Sequence, residues 1–550
     1  LKDINETGSL PIMMDKIQIP LQHIPQLSLK DKSYATGDSR LKPFYRHSVD
    51  IESFKNTIQD KSTQDCPREL IVKVLHEQYA ALSVSEPTRR NIDSLLNPNT
   101  FTIVTAHQPV LFTGPLYYIF KICSTLNLCK QLNLNYPAHH FVPVFINGSE
   151  DHDFDEINHT YIFNKKISWE QTKGGSVGKL KTDSLSSVLD ELKELLGPTQ
   201  SAQEIYQLVN QSYKDLDLYE QASSALVNNL FGKYGLVILN MNHYLLKNYF
   251  KPIIERELFE QPSQAIIEKT QQELGALGFS VQAHVREINL FYLGENTRNR
   301  IERSGHNFQI VDSNLVFTEN ELRRELNNHP EKFSPNVVLR PLYQEYVLPN
   351  LAYIGGGGEI AYWLERKAQF EFFHVPFPML IRRNSALILE EVWKKKWLKL
   401  DFEVKDLFTD TDSLIHDFIQ KHSGKELTFD HEITQFQQTI DQMKHKANKV
   451  DPTLEKTIIA EGLKQIKAWE QIATRLTRAE KARFDVQILQ IRNIKEKLFP
   501  GNGLQERHDN FIPLFIRYGL GILDILIEVL NPLEQGFLVL SPEDTHEKMG

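Results

Sequence analysis

Cysteine is scarce: Cys66, Cys123 and Cys129 are the only three in 550 residues. They are too few and too oddly spaced for a disulfide framework or a structural zinc site, so a reducing cytoplasm is the expected setting. A surplus of positive charge is also missing. The formal net charge is −9 and the basic residues are dispersed, which leaves no electrostatic footprint for nucleic acid. No uninterrupted apolar run is long enough to span a bilayer. The most apolar window, 511–530, carries Arg517, Asp524 and Glu528, each costly in hydrocarbon; it reads as a buried helix, and no membrane segment is expected. The opening LKDINETGSLPIM lacks the basic and apolar regions of a signal peptide, so Met13 or Met14 is a candidate initiator and residues 1–12 are expected to be non-native or disordered.

Familiar nucleotide signatures are absent as well. GGSVGK (174–179) has Lys173 where a phosphate-binding loop needs its first glycine, and Leu180 where it needs Ser or Thr. GGGGE (355–359) lacks the G-x-G-x-x-G spacing of a dinucleotide fingerprint. Internal repeats and low-complexity tracts are also missing.

What remains is a long chain of ordinary globular composition. Hydrophobic residues make up 41% and charged residues 24%, and this length exceeds one hydrophobic core, implying roughly two to four structural units. FTIVT (101–105) is β-branched, AHQPVLFTG (106–114) is a loop, and Pro115 opens a helix expected to reach about Leu132. FVPVFING (141–148) supplies the next strand, giving a βαβ unit of the kind that builds parallel sheets. Ligands gather at the carboxyl ends of such strands. Both AHQPVLFTG and EDHDFDEINH (150–159) lie there, so this charge-rich stretch belongs at a site edge outside the buried strand. GLVILN (235–240) extends the pattern, and a Rossmann-type core with insertions accounts for it. RPLYQEYVLPNLAYIGGGGEIAYW (340–363) then leads into a helix starting near Glu359.

The C-terminal third changes character. Ile433, Phe436, Ile440, Met443, Ala447 and Val450 form a heptad seam. Asp451 and Pro452 read as an N-cap and first-turn pair opening a second helix towards Leu498; unbroken, it would span roughly 70 Å, an arm or a bent antiparallel hairpin. The expected organisation is an N-terminal flank and the first part of the core over 1–164, a connecting insertion over 165–234, the rest of the core with a further insertion over 235–390, a helical coiled-coil domain over 391–500, and a segment packing back on the core over 501–550.

Each motif has a plain alternative. His152 and His159 with the neighbouring acids could hold a metal, yet the spacing matches no strong metal signature; a solvated loop with a helix cap at Asp153 or Asp155 is equally compatible. His107 and Gln108 followed by Thr113, Gly114 and Pro115 could bind phosphate or carboxylate, or form an ordinary turn. Arg340, Arg382 and Arg383 could clamp anions bidentately or pair with acids. Cys123 and Cys129 fit packed thiols better than nucleophiles.

Four stretches taken together, TAHQPVLFTGPLYYIFK, VPVFINGSEDHDFDEINH, RPLYQEYVLPNLAYIGGGGEIAYW and LFPGNGLQERHDNF, resemble the BshC family of bacillithiol biosynthesis, whose members are described as cysteine ligases. The likeness runs in order from about Met14 to about Leu540; GGGGE stands where Gly-Pro-Gly-Glu is usual, and His107 where Gln is common. The resemblance implies a Rossmann-like α/β core with connecting insertions, a helical coiled-coil domain, a homodimer formed through that domain, and addition of cysteine to glucosaminyl-malate. Such a ligase must activate an unreactive carboxylate, by ATP or another nucleotide, as an acyl phosphate or adenylate. Asp151, His152, Asp153 and His107 are the expected catalytic group. Gln108, Thr113, Gly114, Tyr117, Glu156, His159, Arg340, Gln344 and Arg382 are expected to bind substrate, and Gly356, Gly357, Gly358 and Glu359 the cofactor. Two other readings stay open: a metal-dependent hydrolase using His152 and His159, and a coiled-coil interaction protein with a relict core.

Overall fold

Five strands rich in Val, Ile, Phe and Thr are buried along nearly their whole length, the pattern expected of parallel strands covered on both faces. They are β1 (Thr100–His107), β2 (His140–Asn147), β3 (Val237–Asn240), β4 (Asn350–Gly355) and β5 (Met379–Arg382). In this computed structural model, which describes residues 13–171, 174–214, 216–424 and 428–543, they pair in the order β5-β4-β1-β2-β3, all parallel. That is the Rossmann order 3-2-1-4-5 read backwards. The chain runs outwards from β1 in both directions, so loops leaving β1 and β4 part on opposite faces and open a crevice at the switch point.

The crossover helix after β1, α1 (Tyr117–Asn135), is almost entirely buried. Apolar side chains surround it because it lies inside the layered core instead of on its surface. After β4, α2 (Gly357–Trp363) starts two residues before Glu359, with Gly356 as its N-cap and the Glu359 side chain folded back on the Gly356 N–H. The stretch between β2 and β3 carries a hairpin, His159–Ile162 with Lys165–Ser168, and three longer helices, Ser186–Leu196, Gln200–Lys214 and Tyr219–Phe231. Between β3 and β4 lies a five-stranded antiparallel sheet whose longest strand is Arg298–Ser304.

The first and last described strands meet. Phe537–Pro542 pairs antiparallel with Met14–Ile19 and parallel with Ser385–Ile388. The apolar window 511–530 forms two helices, Ile512–Tyr518 and Ile522–Val529, where one was expected. Gly519 separates them at φ 70°, a left-handed conformation that closes a helix readily only at glycine. Among the described residues no helix is long and apolar enough to cross a membrane. Residues 1–12, expected to be non-native or disordered, lie outside the described residues.

Residues Leu389–Gly503 form a second unit. It contains α3 (Asp430–Asn448), α4 (Leu454–Lys481) and α5 (Asp485–Leu498). The helix expected to run from 452 to 498 is interrupted at Ala482–Phe484 by a turn of 3-10 helix. Asp451 does not cap α4 directly; its carboxylate accepts from the Thr453 N–H at 2.8 Å inside the turn, and Thr453 is the N-cap. Helices α3 and α4 form an antiparallel hairpin, as the pairs Phe436 with Trp469 (ring centroids 4.9 Å apart) and Lys444 with Glu455 (3.1 Å) require. Phe436 and Ile440 of the heptad seam thus pack within their own chain, whereas Met443 and Val450 are exposed. Ile440 sits over Gly462, where a Cβ would come within 2.4 Å of its Cδ1. Gly462→Leu is therefore expected to force the hairpin apart at a cost of about 1–3 kcal/mol; thermal unfolding followed by helicity should show an earlier transition, and an unchanged midpoint would show that Ile440 can be displaced freely.

Candidate active site

Strands β1 and β2 end in register, with His107 opposite Asn147. The loops that follow therefore leave the same sheet edge side by side, and the Gly148 N–H donates to the His107 carbonyl at 2.7 Å. With the start of α2 they enclose a cavity of about 450 Å³ at the switch point, bordered by His107, Gln108, Tyr117, Asp151, Glu156, Arg340, Gly356, Gly358 and Glu359 among the residues singled out by sequence. Lys121, Arg298, Arg383 and Arg507 also face it.

His107 is held in one tautomer. Its Nδ1 lies 3.0 Å from the Gln108 carbonyl, which can only accept, so Nδ1 carries the proton and Nε2 accepts from the Tyr117 hydroxyl at 3.0 Å. Burial, with help from the Lys121 charge, lowers its pKa to about 4 and keeps the ring neutral at pH 7. Both ring nitrogens are committed, which leaves the Tyr117 oxygen as the group turned to the cavity.

Lys121 and Glu359 form the ion pair that crosses the switch point, Nζ to Oε2 at 2.5 Å. Lys121, buried in α1, also donates to the Ala106 carbonyl at 2.8 Å. Glu359 takes the Tyr353 hydroxyl at 2.5 Å and the Gly356 N–H at 2.9 Å as well. Burial opposes the charge on this carboxylate, but Lys121 and these donors prevail and bring its pKa to about 2. Arg340 stays charged: burial works against it, and the neighbouring Tyr362 and Tyr353 outweigh that cost. Gln344 accepts from it at 3.2 Å. Gln344 is itself buried away from the cavity and acts by orienting Arg340.

The charged stretch after β2 divides its labour. The Asp151 carboxylate accepts from Gln108 Nε2 at 2.6 Å and from the His152 N–H at 2.7 Å, with Arg298 at 3.4 Å. Burial alone would raise its pKa; His152, Arg298 and Gln108 together hold it well below the usual carboxylate range. His152 is half exposed, outside the cavity, with Nδ1 at 2.9 Å from Arg298 and its ring against Phe291. Asp153 is the N-cap of the short helix Phe154–Ile157. Glu150 reaches the other way, to buried Lys247 at 2.8 Å and to Ser334 Oγ at 2.5 Å.

Other expected contacts have packing roles. Thr113 and Gly114 belong to a turn with positive φ at Phe112, Thr113 and Gly114, and Asn510 Nδ2 ties it down by donating to the carbonyls of Phe112 (2.8 Å) and Gly114 (2.7 Å). A Cβ on Gly114 would meet Val110 at 2.5 Å. Gly357 faces away from the cavity into Asp31, where a Cβ would come within 2.1 Å of the carboxylate. That carboxylate grips Arg382 bidentately at 2.6 and 3.1 Å, so Arg382 is a buried structural group. The GGSVGK loop braces the charged stretch: the Val177 N–H donates to the Asp151 carbonyl and the Gly178 N–H to the Ser149 carbonyl. His159 borders a second, smaller cavity. Among the described residues no three His, Cys, Asp or Glu side chains are grouped to hold a metal ion, so the hydrolase reading has no ligand set.

Sequence reasoning passed over Lys121, Arg298 and Arg507. Lys121 carried a signal, a lone lysine in the otherwise apolar run YYIFKICSTL, since a fully buried lysine needs a partner. Arg298 carried none, because it reaches the site from an insertion whose return path local pattern does not specify.

Fold and cavity together define an α/β protein of Rossmann-like architecture with a charged small-molecule site at its switch point. The family model for the N-terminal Rossmann-like domain of the bacillithiol biosynthesis protein BshC matches residues 14–384, and that for its C-terminal coiled-coil domain matches residues 386–542. The chain belongs to this BshC family. It is 39% identical over 518 residues to "Putative cysteine ligase BshC" of Christiangramia forsetii, covering 92% of this chain and 96% of that one. It is equally 39% identical over 511 residues to the protein of the same name from Flavobacterium psychrophilum, with 92% and 96% covered.

The depressed His107 pKa has a consequence for stability. Between the ordinary value of 6.5 and about 4 the unfolded chain binds a proton that the folded one refuses, so this residue's contribution is intact above 6.5 and lost as pH falls through that window. The difference in unfolding midpoint between wild type and His107→Gln should therefore shrink on acidification from pH 7 to pH 4.5; a constant difference would show that the ring is not held neutral.

Proposed function

We propose that the chain is a cysteine ligase that joins cysteine to glucosaminyl-malate through an amide bond, the last step of bacillithiol assembly. Membership of the BshC family carries this reading, and the cavity's chemistry supports it. A carboxylate-rich substrate suits a cavity where Arg298, Arg340, Arg383 and Arg507 converge. A nucleotide, when bound, supplies the phosphoanhydride energy that makes a carboxylate reactive towards an amine. The residues fit its phosphates: Lys121 is spent on Glu359, whereas Arg383, bidentate to Glu506 at 2.8 and 2.9 Å, retains a buried Nε without a partner. Arg383 is the side chain that would hold them, beside Gly356 and Gly358.

Within this reading Asp151 is too weakly basic to accept a proton near neutrality; it fixes Gln108, whose amide is a donor at the cavity wall. His107 keeps the Tyr117 hydroxyl in place. His152 and Asp153 hold the loop. A strain lacking the gene should accumulate glucosaminyl-malate and lose the cysteinyl thiol, with the wild-type chain restoring it. Asp151→Asn should restore less than about a tenth of the thiol, since it loses charge-assisted bonds of about 1.5–3 kcal/mol, and His152→Ala should restore most of it. Normal thiol in the deletion strain would refute the ligase assignment.

The helical unit is the expected dimer contact, and a reducing cytoplasm the expected location. Phe436 and Ile440 of the seam pack inside the hairpin, and the support comes from apolar side chains left exposed: Met443 and Val450 of the seam, with Leu463 and Leu489, each 59% exposed, and Val486, 68% exposed. Exposed apolar side chains on these helices are the groups an association surface would cover. Leu463→Glu with Leu489→Glu should give a folded monomer in sedimentation, and a persistent dimer would move the contact elsewhere.

A further inference from the structure

A smaller cavity of about 320 Å³ lies beside the candidate active site. His107, Gln108, Tyr117, Glu156 and Arg507 border both cavities, so the two are chambers with one common wall. The far side of the smaller chamber is built from the hairpin strand His159–Ile162 and the segment after Arg507. There Tyr161 and His508 stack with ring centroids 4.1 Å apart, the Asn510 N–H donates to the Tyr161 carbonyl at 3.0 Å, and His508 Nδ1 lies 2.7 Å from Asp509 Oδ1. This wall is braced from both segments. Val110 and Pro115 supply an apolar patch opposite.

The common wall carries two opposite charges, Glu156 and Arg507. Both are exposed, and neither has an ion-pair partner among the described residues. Tyr117 borders both chambers with them: burial raises its phenol, Arg383 and Arg507 lower it, and Glu359 and Glu156 raise it. Two unpaired charges of opposite sign beside a small, partly apolar chamber make a receptor for a compact zwitterion. Glucosaminyl-malate, a sugar bearing a dicarboxylate, needs the larger chamber with its additional arginines.

We propose that the smaller chamber seats the free amino acid, L-cysteine, with its ammonium on Glu156, its carboxylate on Arg507 and its thiol side against Val110 and Pro115. This rests on the ligase reading and adds which substrate occupies which chamber. It also explains why Arg507 faces both cavities: the carboxylate to be joined must lie at the wall where the amine of the other substrate arrives.

Calorimetric titration of the full-length protein with L-cysteine under reducing conditions, and separately with glucosaminyl-malate, tests the assignment. Tyr161→Trp and His159→Tyr each add bulk to a side chain that borders only the smaller chamber. Each should weaken cysteine binding about tenfold or more, the scale of an overpacking penalty, and leave glucosaminyl-malate binding unchanged. Arg340→Met, in the larger chamber alone, should do the reverse. Two separate substitutions, each checked by thermal unfolding, keep the test decisive should one fail to fold. The assignment is overturned if both filled variants bind cysteine normally, or if they lose glucosaminyl-malate instead. An unsubstituted protein that binds neither substrate would overturn the ligase reading along with it.

Discussion

The Lys121–Glu359 ion pair is the constraint on which the site depends. A buried ion pair adds little net stability over well-packed apolar side chains, but Lys121 is buried while Glu359 borders the cavity, so loss of Glu359 costs about 3–5 kcal/mol because Lys121 is left buried and uncompensated. The pair therefore tolerates only geometries that keep both ends together. One end stands on α1, which follows β1; the other stands on α2, which follows β4. Those are the strands where the chain reverses its direction of winding, so the pair fixes the width of the crevice that the topology opens. Its remaining bonds radiate outwards: Lys121 to the last turn of β1 at Ala106, and Glu359 to Tyr353 and to the N-cap of α2.

The same device recurs wherever an outlying segment meets the sheet edge. Arg298 brings the antiparallel insertion onto Asp151, and Lys247 brings the helix after β3 onto Glu150. Arg382 ties β5 to Asp31, and Arg383 ties the following residues to Glu506 of the returning C-terminal segment. Much of the charge that makes EDHDFDEINH conspicuous is accordingly spent on architecture. The loop is charge-rich because it is a junction of three segments, and the cavity inherits its polarity from that junction. Buried donors such as Arg383 Nε, left over once the junction is made, are the groups available to a ligand.

This division explains which features were legible. The βαβ pattern, the switch-point loops and the two long helices of the C-terminal third follow from periodicity and turn chemistry, which are local. His107, Gln108, Asp151, Glu156, Arg340 and Glu359 do border the cavity, because strand ends in a parallel sheet share one edge. Gly357, Arg382, Thr113 and Gly114 do not. Each sits within a few residues of a cavity residue, but helix pitch or turn geometry points it into packing against Asp31 or Val110. The heptad seam was legible as a seam, yet a seam is equally satisfied by its own chain or by another; the short turn at 449–453 and the space over Gly462 commit Phe436 and Ile440 to the hairpin, while Met443 and Val450 stay exposed.

The sequence by itself determined what is set by near neighbours in the chain: the strands and helices, the edge of the sheet on which polar loops would gather, and the family to which the four motifs point. Tertiary structure alone decided which charges face a ligand and which face each other. Arg298 and Asp151, or Arg383 and Glu506, are separated by more than a hundred residues, and a carboxylate or guanidinium reads the same in sequence whether its partner is protein or substrate. Only the return of the insertions and of the C-terminal segment to the sheet edge uses up some of those charges and leaves Arg340, Arg507 and Glu156 turned towards the two chambers.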